Sequence, residues 1–460
     1  MMKKYDAIII GFGKGGKTLA VDLANHGWNV AVIERSTGMY GGTCINIGCI
    51  PTKTLVHLSE VAQYRDYTTF EQFAEAYKAA ITKKREVTAM LRQKNFDNLD
   101  SNNSVTIYNG VASFRSPYQI DVKTDTETIT LEGGKIFINT GATTVVPPIK
   151  GIEGNPFIYT STSVMELEKL PRRLAIVGGG YVGLEFASIF ANFGSQVSVL
   201  EGGDKFIPRE DRDIADAVKS VLEKKNMAIR LNAVVQEIEH DDEKAVVVYR
   251  DALSGETLRL EADAVLLATG RRPNTADLNL QAAGIKVTDR GAIEVDDHLH
   301  TNVNNIWAIG DVRGGLQFTY LSLDDYRIIR DDLLGDGRRN TGDREAVAYS
   351  VFIDPPLSHV GLTEEEARRS GRDIKVGKIP AASVPRTRTI GQTDGLLKTV
   401  VDADTNQILG CTLFCAESSE IINLVSLAMR LDNDYVFLRD NIFTHPSMSE
   451  ALNDLYSSIK

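Results

Sequence analysis

Two stretches of this chain carry the same pattern of apolar and polar positions. Each opens on a short unbroken apolar run, Ala7–Ile10 in the first and Leu174–Val177 in the second. Such runs, bounded by turn residues, predict parallel strands covered on both faces. Each run breaks off at a glycine cluster, passes into a predicted helix, and reaches a second apolar run that closes on a glutamate. In full they read YDAIIIGFGKGGKTLAVDLANHGWNVAVIE over 5–34 and RLAIVGGGYVGLEFASIFANFGSQVSVLE over 173–201. With Gly11 placed on Gly178, Gly13 falls on Gly180, Gly16 on Gly183, Gly27 on Gly194 and Glu34 on Glu201.

Each copy has the parts of a dinucleotide-binding βαβ unit. The first glycine makes the tight turn, the second lets the backbone approach a pyrophosphate, and the third allows close helix–strand packing. The helix offers its N-terminal N–H groups to phosphates. The glutamate stands where it can accept from ribose hydroxyls. One GxGxxG alone is a weak signal, but two copies with strand, helix and acid in place predict two bound dinucleotides. The economical pair is a flavin and a nicotinamide, which implies electron transfer between them.

Other apolar runs fit this organisation. IFINTGAT (136–143) and LLATGRRPN (266–274) each read as a strand ending in Thr-Gly, where the chain crosses between nucleotide domains. NNIWAIGDV (304–312) reads as a strand ending in Gly310-Asp311, an acid suited to a ribityl hydroxyl beside a glycine that admits a phosphate. The proline-rich 145–156 is the expected first crossover, and 335–345 reads as a solvated loop. The alternating LGCTLFCA places Cys411 and Cys415 on a strand.

Composition narrows the partners. The 460 residues are 43% hydrophobic and 25% charged, which excludes a collagen, a disordered tail and a coiled coil. The 51 Lys+Arg against 62 Asp+Glu leave a formal charge of −11, which argues against nucleic acid or an anionic membrane surface as the main partner. No apolar run reaches the roughly 18 residues that a spanning helix needs. Met1-Met2-Lys3-Lys4 before Ala7–Gly13 imitates a signal peptide, but Asp6 interrupts it and Lys14 and Lys17 follow, so a buried first strand is expected. The 4 cysteines form no disulfide framework, so the expected compartment is the reducing cytosol.

Two of those cysteines lie in GGTCINIGCIPTK (41–53). Cys44 and Cys49 admit three readings: half a metal site, two buried thiols, or a reversible disulfide. A zinc site wants two further ligands at matching spacing. A cysteine at a helix start has its thiolate stabilised by the helix dipole, which makes it nucleophilic and reducible. Beside a flavin, such a pair becomes a two-electron relay.

The GGTCINIGCIPTK segment resembles the redox-active disulfide motif of the flavoprotein disulfide reductases. These are class I pyridine nucleotide-disulfide oxidoreductases, such as glutathione reductase, lipoamide dehydrogenase and mercuric reductase. The resemblance covers essentially the whole chain, including both glycine fingerprints, ATGRRPN, Gly310-Asp311, VGLTEEEA (360–367) and the C-terminal HPSMSE. It implies an α/β architecture of two Rossmann-like dinucleotide-binding domains plus an α+β C-terminal dimerisation domain. The expected parts are an FAD-binding domain over 1–147 completed by 271–347, an NAD(P)H-binding domain over 148–270 and an interface domain over 348–460.

The resemblance implies FAD on the first fingerprint, held by Gly11, Gly13, Gly16, Glu34, Thr43, Lys53, Ala112, Gly141 and Asp311. It implies NADH or NADPH on the second, held by Gly178, Gly180, Gly183, Glu201 and Gly270. Cys49 then faces the flavin as the charge-transfer thiol, and Cys44 is the interchange thiol that meets the substrate. Lys53 is implied to pair with Glu185 beside the flavin N5. His445 and Glu450 match the family's C-terminal dyad, whose imidazole reaches the interchange thiol of the opposite subunit. That makes a homodimer the implied assembly, with a cis peptide before Pro446. His57, about a turn after Lys53, is expected on a solvated helix.

Three features bear on which member this is. The chain ends LYSSIK, without the terminal cysteine pair of the usual mercuric reductases. Glu201 would repel a 2′-phosphate, so NADH is expected to be preferred over NADPH, with Lys205 and Arg209 tempering the choice. GGLQFTYLSLDDYRIIRDDLLG (314–335) puts Phe318, Tyr320, Asp324, Asp325 and Tyr326 where lipoamide dehydrogenases have an Ala-rich helix. That stretch resembles the bacterial RclA group, the reactive-chlorine-resistance flavoproteins associated with copper(II) reduction. The expected activity is FAD-dependent NAD(P)H oxidation through a Cys44–Cys49 disulfide to a thiol-reactive or metal-ion acceptor, Cu(II) foremost. No structural metal is expected, only transient copper at Cys44 and Cys49. The alternatives are a dihydrolipoamide dehydrogenase or other disulfide reductase, a dithiol-independent NADH oxidase, and a non-catalytic redox sensor.

Overall fold

A computed structural model describes residues 2–460. They form two compact units. One comprises Met1–Thr54, Ile81–Val146 and Gly270–Asp343, and the other Leu55–Ala80, Pro147–Thr269 and Arg344–Lys460.

In the first unit the apolar run Ala7–Ile10 lies fully inside, as the end of strand Lys3–Ile10. Val30–Glu34 and Thr128–Ile138 flank it in parallel, and Val105–Asn109 and Ile306–Ala308 extend the parallel set. Gln119–Lys123 and Val111–Ser116 continue the sheet in antiparallel fashion. The register pairs Ile10 with Ile33 and with Ile138, and Ile138 with Ala308. Gly11, Glu34 and Asn139 therefore follow directly at one carboxyl edge, with Gly310 two residues past Ala308, where ligands of open α/β sheets bind. The signal-peptide imitation is thus a buried strand, as expected.

Helix Lys14–Asn25 buries Leu19, Ala20 and Leu23 against this sheet. Helix Thr319–Leu334 packs against it at Gly15, where a Cβ would stand 2.4 Å from Ser322 O. Tyr326 and Arg330 fasten the far end through Asp22 at 3.0 and 2.8 Å. The Thr-Gly crossings meet as a short antiparallel pair, Ala142–Thr144 with Arg271–Pro273. The strand of NNIWAIGDV stops at Ala308, and Gly310–Arg313 is a 3-10 turn entered by Gly310 at φ +72°. The loop of 335–345 is more tied than its composition indicates. Asp331 accepts from Arg339 N at 2.9 Å and Asp297 from the Thr341 hydroxyl at 2.8 Å.

The second unit holds a parallel sheet in the order Met227–Arg230, Gln196–Leu200, Arg173–Val177, Ala264–Leu267, Ile158–Thr160. Between its strands Met227–Arg230 and Ala264–Leu267 the chain forms a three-stranded antiparallel sheet, Ala233–His240, Ala245–Asp251 and Thr257–Ala262. An antiparallel five-stranded sheet from Tyr349 to Phe414 is backed by helices Ser418–Arg430 and Ala451–Ser457. The expected fold class, two dinucleotide-type α/β sheets plus an α+β C-terminal part, is the one observed. Cys411 lies in strand Ile408–Phe414 as expected, whereas Cys415 falls just beyond its end; both are buried. Among the described residues no helix is long and apolar enough to cross a membrane.

Candidate active site

At the carboxyl edge of the first sheet, Gly11 takes φ +103°, and a Cβ there would sit 2.4 Å from Asn139 O. A Cβ on Gly13 would meet Asn139 Oδ1 at 2.5 Å, and Gly16 N donates to the same oxygen at 3.0 Å. Glu34 accepts from Phe12 N at 3.1 Å and Ser36 N at 3.2 Å, while burial raises its pKa above the usual carboxylate value. Beside this edge lies a cleft of about 450 Å³. Seven of the nine residues expected to hold FAD line it: Gly11, Gly13, Glu34, Thr43, Ala112, Gly141 and Asp311. Gly16, the third glycine, serves the close packing expected of it, and Lys53 does not reach the lining. Burial also raises the Asp311 carboxyl, opposed by the charges of Arg271 and Arg313. A glycine cradle under a helix N-terminus, with a carboxylate at the far strand end, fits the pyrophosphate and ribose of a dinucleotide.

The second turn repeats this wiring. Gly178 has φ +106°, and Glu201 accepts from Gly179 N and Gly203 N, both at 2.8 Å. Gly183 tolerates no side chain, since its Cβ would lie 2.3 Å from Gly178 O. Around Gly180 there is open space, with nothing within 4 Å of a Cβ. Gly270, at φ +100°, is equally open.

The cysteines sit against the first turn. Gly41 and Gly42 both have positive φ, +95° and +78°, and start the short helix Gly42–Asn46 that carries Cys44. A Cβ on Gly42 would be 2.7 Å from Gly13 Cα, so this glycine is what lets the cysteine segment press on the fingerprint. Cys49 is the first residue of helix Cys49–Gln63. Both are free thiols here, and their sulfurs hydrogen-bond to each other. Thr319 Oγ1 lies 3.4 Å from Cys49 Sγ and also hydrogen-bonds Cys44.

This contact divides the pair. The hydrogen bond from Cys44 pulls the Cys49 thiol down to about 6, helped by Thr319 and the Lys53 ammonium one helical turn on, and against the effect of burial. As the donor, and by burial, Cys44 is pushed well above the ordinary thiol value. The contact thus favours the thiolate on Cys49 over that on Cys44. His57, further along the helix, is exposed as expected.

Glu185, on helix Tyr181–Asn192, accepts from Phe352 N at 2.9 Å. Near the C-terminus, His445 Nδ1 lies 2.7 Å from Glu450 Oε2, and the peptide before Pro446 is cis. Bonding through Nδ1 leaves Nε2 of a largely exposed ring free to exchange protons. Among the described residues no group of three or more His, Cys, Asp or Glu could hold a metal ion.

Sequence reasoning missed three residues of this region. Asn139 bridges Gly16 N and Ile309 O, Thr319 touches both thiols, and Ser322 accepts from Gly15 N at 3.2 Å. The signal for Asn139 was a polar residue directly after the apolar run of IFINTGAT. Thr319 and Ser322 had no local signal.

The chain matches the family model for pyridine nucleotide-disulphide oxidoreductases over residues 5–325 and that family's dimerisation domain over 347–456. It is 53% identical to the pyridine nucleotide-disulfide oxidoreductase RclA of Escherichia coli K12, with 100% of both chains covered. It is 32% identical to the mercuric reductase of Staphylococcus aureus, over 97% of this chain and 81% of that one. Among solved structures it resembles a Cu(II) complex of the HOCl-induced flavoprotein disulfide reductase RclA of Escherichia coli, a cysteine-to-serine mutant. That match has TM-score 0.94 and 52% identity, with 100% of both chains covered.

Proposed function

The chain belongs to the pyridine nucleotide-disulphide oxidoreductase family and is an enzyme of that family; on this premise we propose that it passes electrons from NADH through a Cys44–Cys49 dithiol to Cu(II) or a thiol-reactive oxidant. FAD and a nicotinamide nucleotide, the cofactors the family implies, supply the hydride chemistry when bound. The proposed division is an FAD domain over 1–147 and 271–347, an NAD(P)H domain over 148–270 and an interface domain over 348–460. Gly11, Gly13, Glu34, Thr43, Ala112, Gly141 and Asp311 would hold FAD, and Gly178, Gly180, Gly183, Glu201 and Gly270 the nicotinamide nucleotide. The Glu201 carboxylate repels a 2′-phosphate, which favours NADH.

The observation that carries this reading is the geometry of the thiol pair beside the cradle, with Cys49 at a helix start, its sulfur 3.4 Å from Thr319 Oγ1 and hydrogen-bonded to that of Cys44. Cys49, as thiolate at a helix start, is the partner suited to a flavin. Cys44, which keeps its proton, is the thiol to be deprotonated when an acceptor arrives. With copper, two Cu(II) take one electron each and become two Cu(I). The two sulfurs join as a disulfide and the one proton held on Cys44 leaves. A soft thiolate pair suits the Cu(I) product. The Cu(II) complex of the Escherichia coli relative and that relative's induction by HOCl support this acceptor class and an oxidative-stress role.

A disulfide acceptor is the second reading, favoured by the His445–Glu450 bond. Cys44 would attack one sulfur of the acceptor, and His445 of the partner subunit would protonate the thiolate that leaves. Cys49 then closes on Cys44 and expels the second thiol. The family's dimerisation domain supports the homodimer this needs. Steady-state NADH oxidation with Cu(II), lipoamide and glutathione disulfide tests the proposal. Cu(II)-dependent turnover that collapses in Cys44→Ser is expected, and turnover that survives would overturn it.

A further inference from the structure

We propose that the stacked rings of Phe318 and Tyr320 form a rigid aromatic wall beside the Cys44–Cys49 pair that admits small inorganic acceptors and turns away bulky disulfides. The inference rests on the dithiol reading above and names the acceptor class it serves.

Thr319 fixes the position of the wall. Its hydroxyl stands 3.4 Å from Cys49 Sγ and also bonds Cys44, so residue 319 is held against both sulfurs. Thr319 lines the cofactor cleft, while its neighbours on either side do not. Phe318 caps the helix in extended backbone and Tyr320 opens its first turn, and their rings stack 5.1 Å apart at 15°. Tyr320 is 45% exposed and Phe318 half-buried, so the stacked pair lies at the surface, with Cys49 close enough to act on the Tyr320 phenol. Burial, and the nearby charge of Cys49, keep its phenol un-ionised. Leu316, 49% exposed, continues the apolar surface.

The wall cannot swing away easily, because the helix behind it is fastened over two turns. Gly15 N donates to Ser322 Oγ at 3.2 Å, with no room for a Cβ between the helices. Asp325, fully buried, accepts from Gly310 N at 2.6 Å and Arg313 Nε at 3.0 Å. A hydrated metal ion or a few-atom oxidant can pass a fixed ring pair. A disulfide carrying two substituents must place one of them where the rings stand. The bulky residues of 314–335 thus gain a purpose, since small side chains there would leave the sulfurs open on this side.

The test uses the full-length, flavin-loaded enzyme reduced with NADH. Wild type, Phe318→Ala/Tyr320→Ala, each single variant and Tyr320→Phe are alkylated with iodoacetamide and with fluorescein maleimide. Wild type should favour the small reagent, and the double variant should shift that preference toward the bulky one by about tenfold, with Tyr320→Phe like wild type. In parallel, kcat/KM for lipoamide should rise by about tenfold in the double variant while that for Cu(II) stays within about twofold. If both acceptors change together, or the alkylation preference does not move, the wall is no filter. Should the double variant lose its flavin, the single variants decide by the same readings. Cu(II) turnover that persists in Cys44→Ser would sink the dithiol reading, whereas the alkylation preference judges the wall separately.

Discussion

Gly11 and Gly178 take nearly the same backbone angle, φ +103° and +106°, and donate to Ile33 O and Leu200 O at 2.8 and 2.9 Å. Glu34 and Glu201 bind the N–H groups at equivalent places. At the second glycine the two turns diverge. Gly13 is enclosed by Asn139 on one side and by Gly42 of the cysteine segment on the other, whereas Gly180 borders open space. The position matching Asn139 is Ala268, whose methyl can hold nothing. The first turn is built into its surroundings, as suits a group that stays bound through many turnovers. The second is left open, as suits a nucleotide that enters and leaves each time.

The largest expected effect comes from adding one methyl to each turn. Gly13→Ala should lose most of its flavin and several degrees of Tm, because the Cβ would lie 2.5 Å from Asn139 Oδ1. Gly180→Ala should keep its flavin and its Tm and show its loss only in KM for NADH. Flavin absorbance per subunit and thermal melts check this, and equal flavin loss in both would erase the contrast. Next, Asn139→Ala removes the acceptor of Gly16 N and the donor to Ile309 O, at a cost of about 1–3 kcal/mol in stability, with weaker flavin retention. Ala268→Ser should be close to neutral in the same melts.

A smaller effect separates the two acids. Glu201→Gln keeps an acceptor for the turn but removes the charge. It should raise the NADPH/NADH ratio of kcat/KM by about tenfold, while Glu34→Gln leaves that ratio unchanged. The smallest change is in the acid limb of the thiol pair, which belongs to the first turn alone. With Cys49 drawn down to about 6, its thiolate is present above that pH and lost below it. A spectral titration of the reduced enzyme should follow that value, and in Thr319→Val the midpoint should move up toward the ordinary thiol range.

Much of this contrast was legible in the chain. The paired glycines, the acids and the helix-start cysteine are local patterns, set by turn geometry and short spacings, whereas His445 and Glu450 were legible only through the family resemblance. The enclosure of Gly13 was not. Asn139 is 123 residues from Gly16, Ser322 is 307 from Gly15, and Thr319 is 270 from Cys49. No periodicity encodes contacts of that kind, because they depend on how parallel strands bring distant segments to one sheet edge. The same holds for the division of the proton between Cys44 and Cys49. Their spacing showed that they could meet, and only the structure showed the helix start, Thr319 and Lys53 that favour the thiolate on Cys49.

The central claim is that the Cys44–Cys49 pair stores two electrons beyond those the flavin takes. Anaerobic titration of the holoenzyme with NADH counts them. Wild type should consume two equivalents of NADH per subunit, with a long-wavelength absorbance band, and Cys44→Ser and Cys49→Ser one equivalent each. A wild type that stops at one equivalent, or serine variants that still take two, would contradict it.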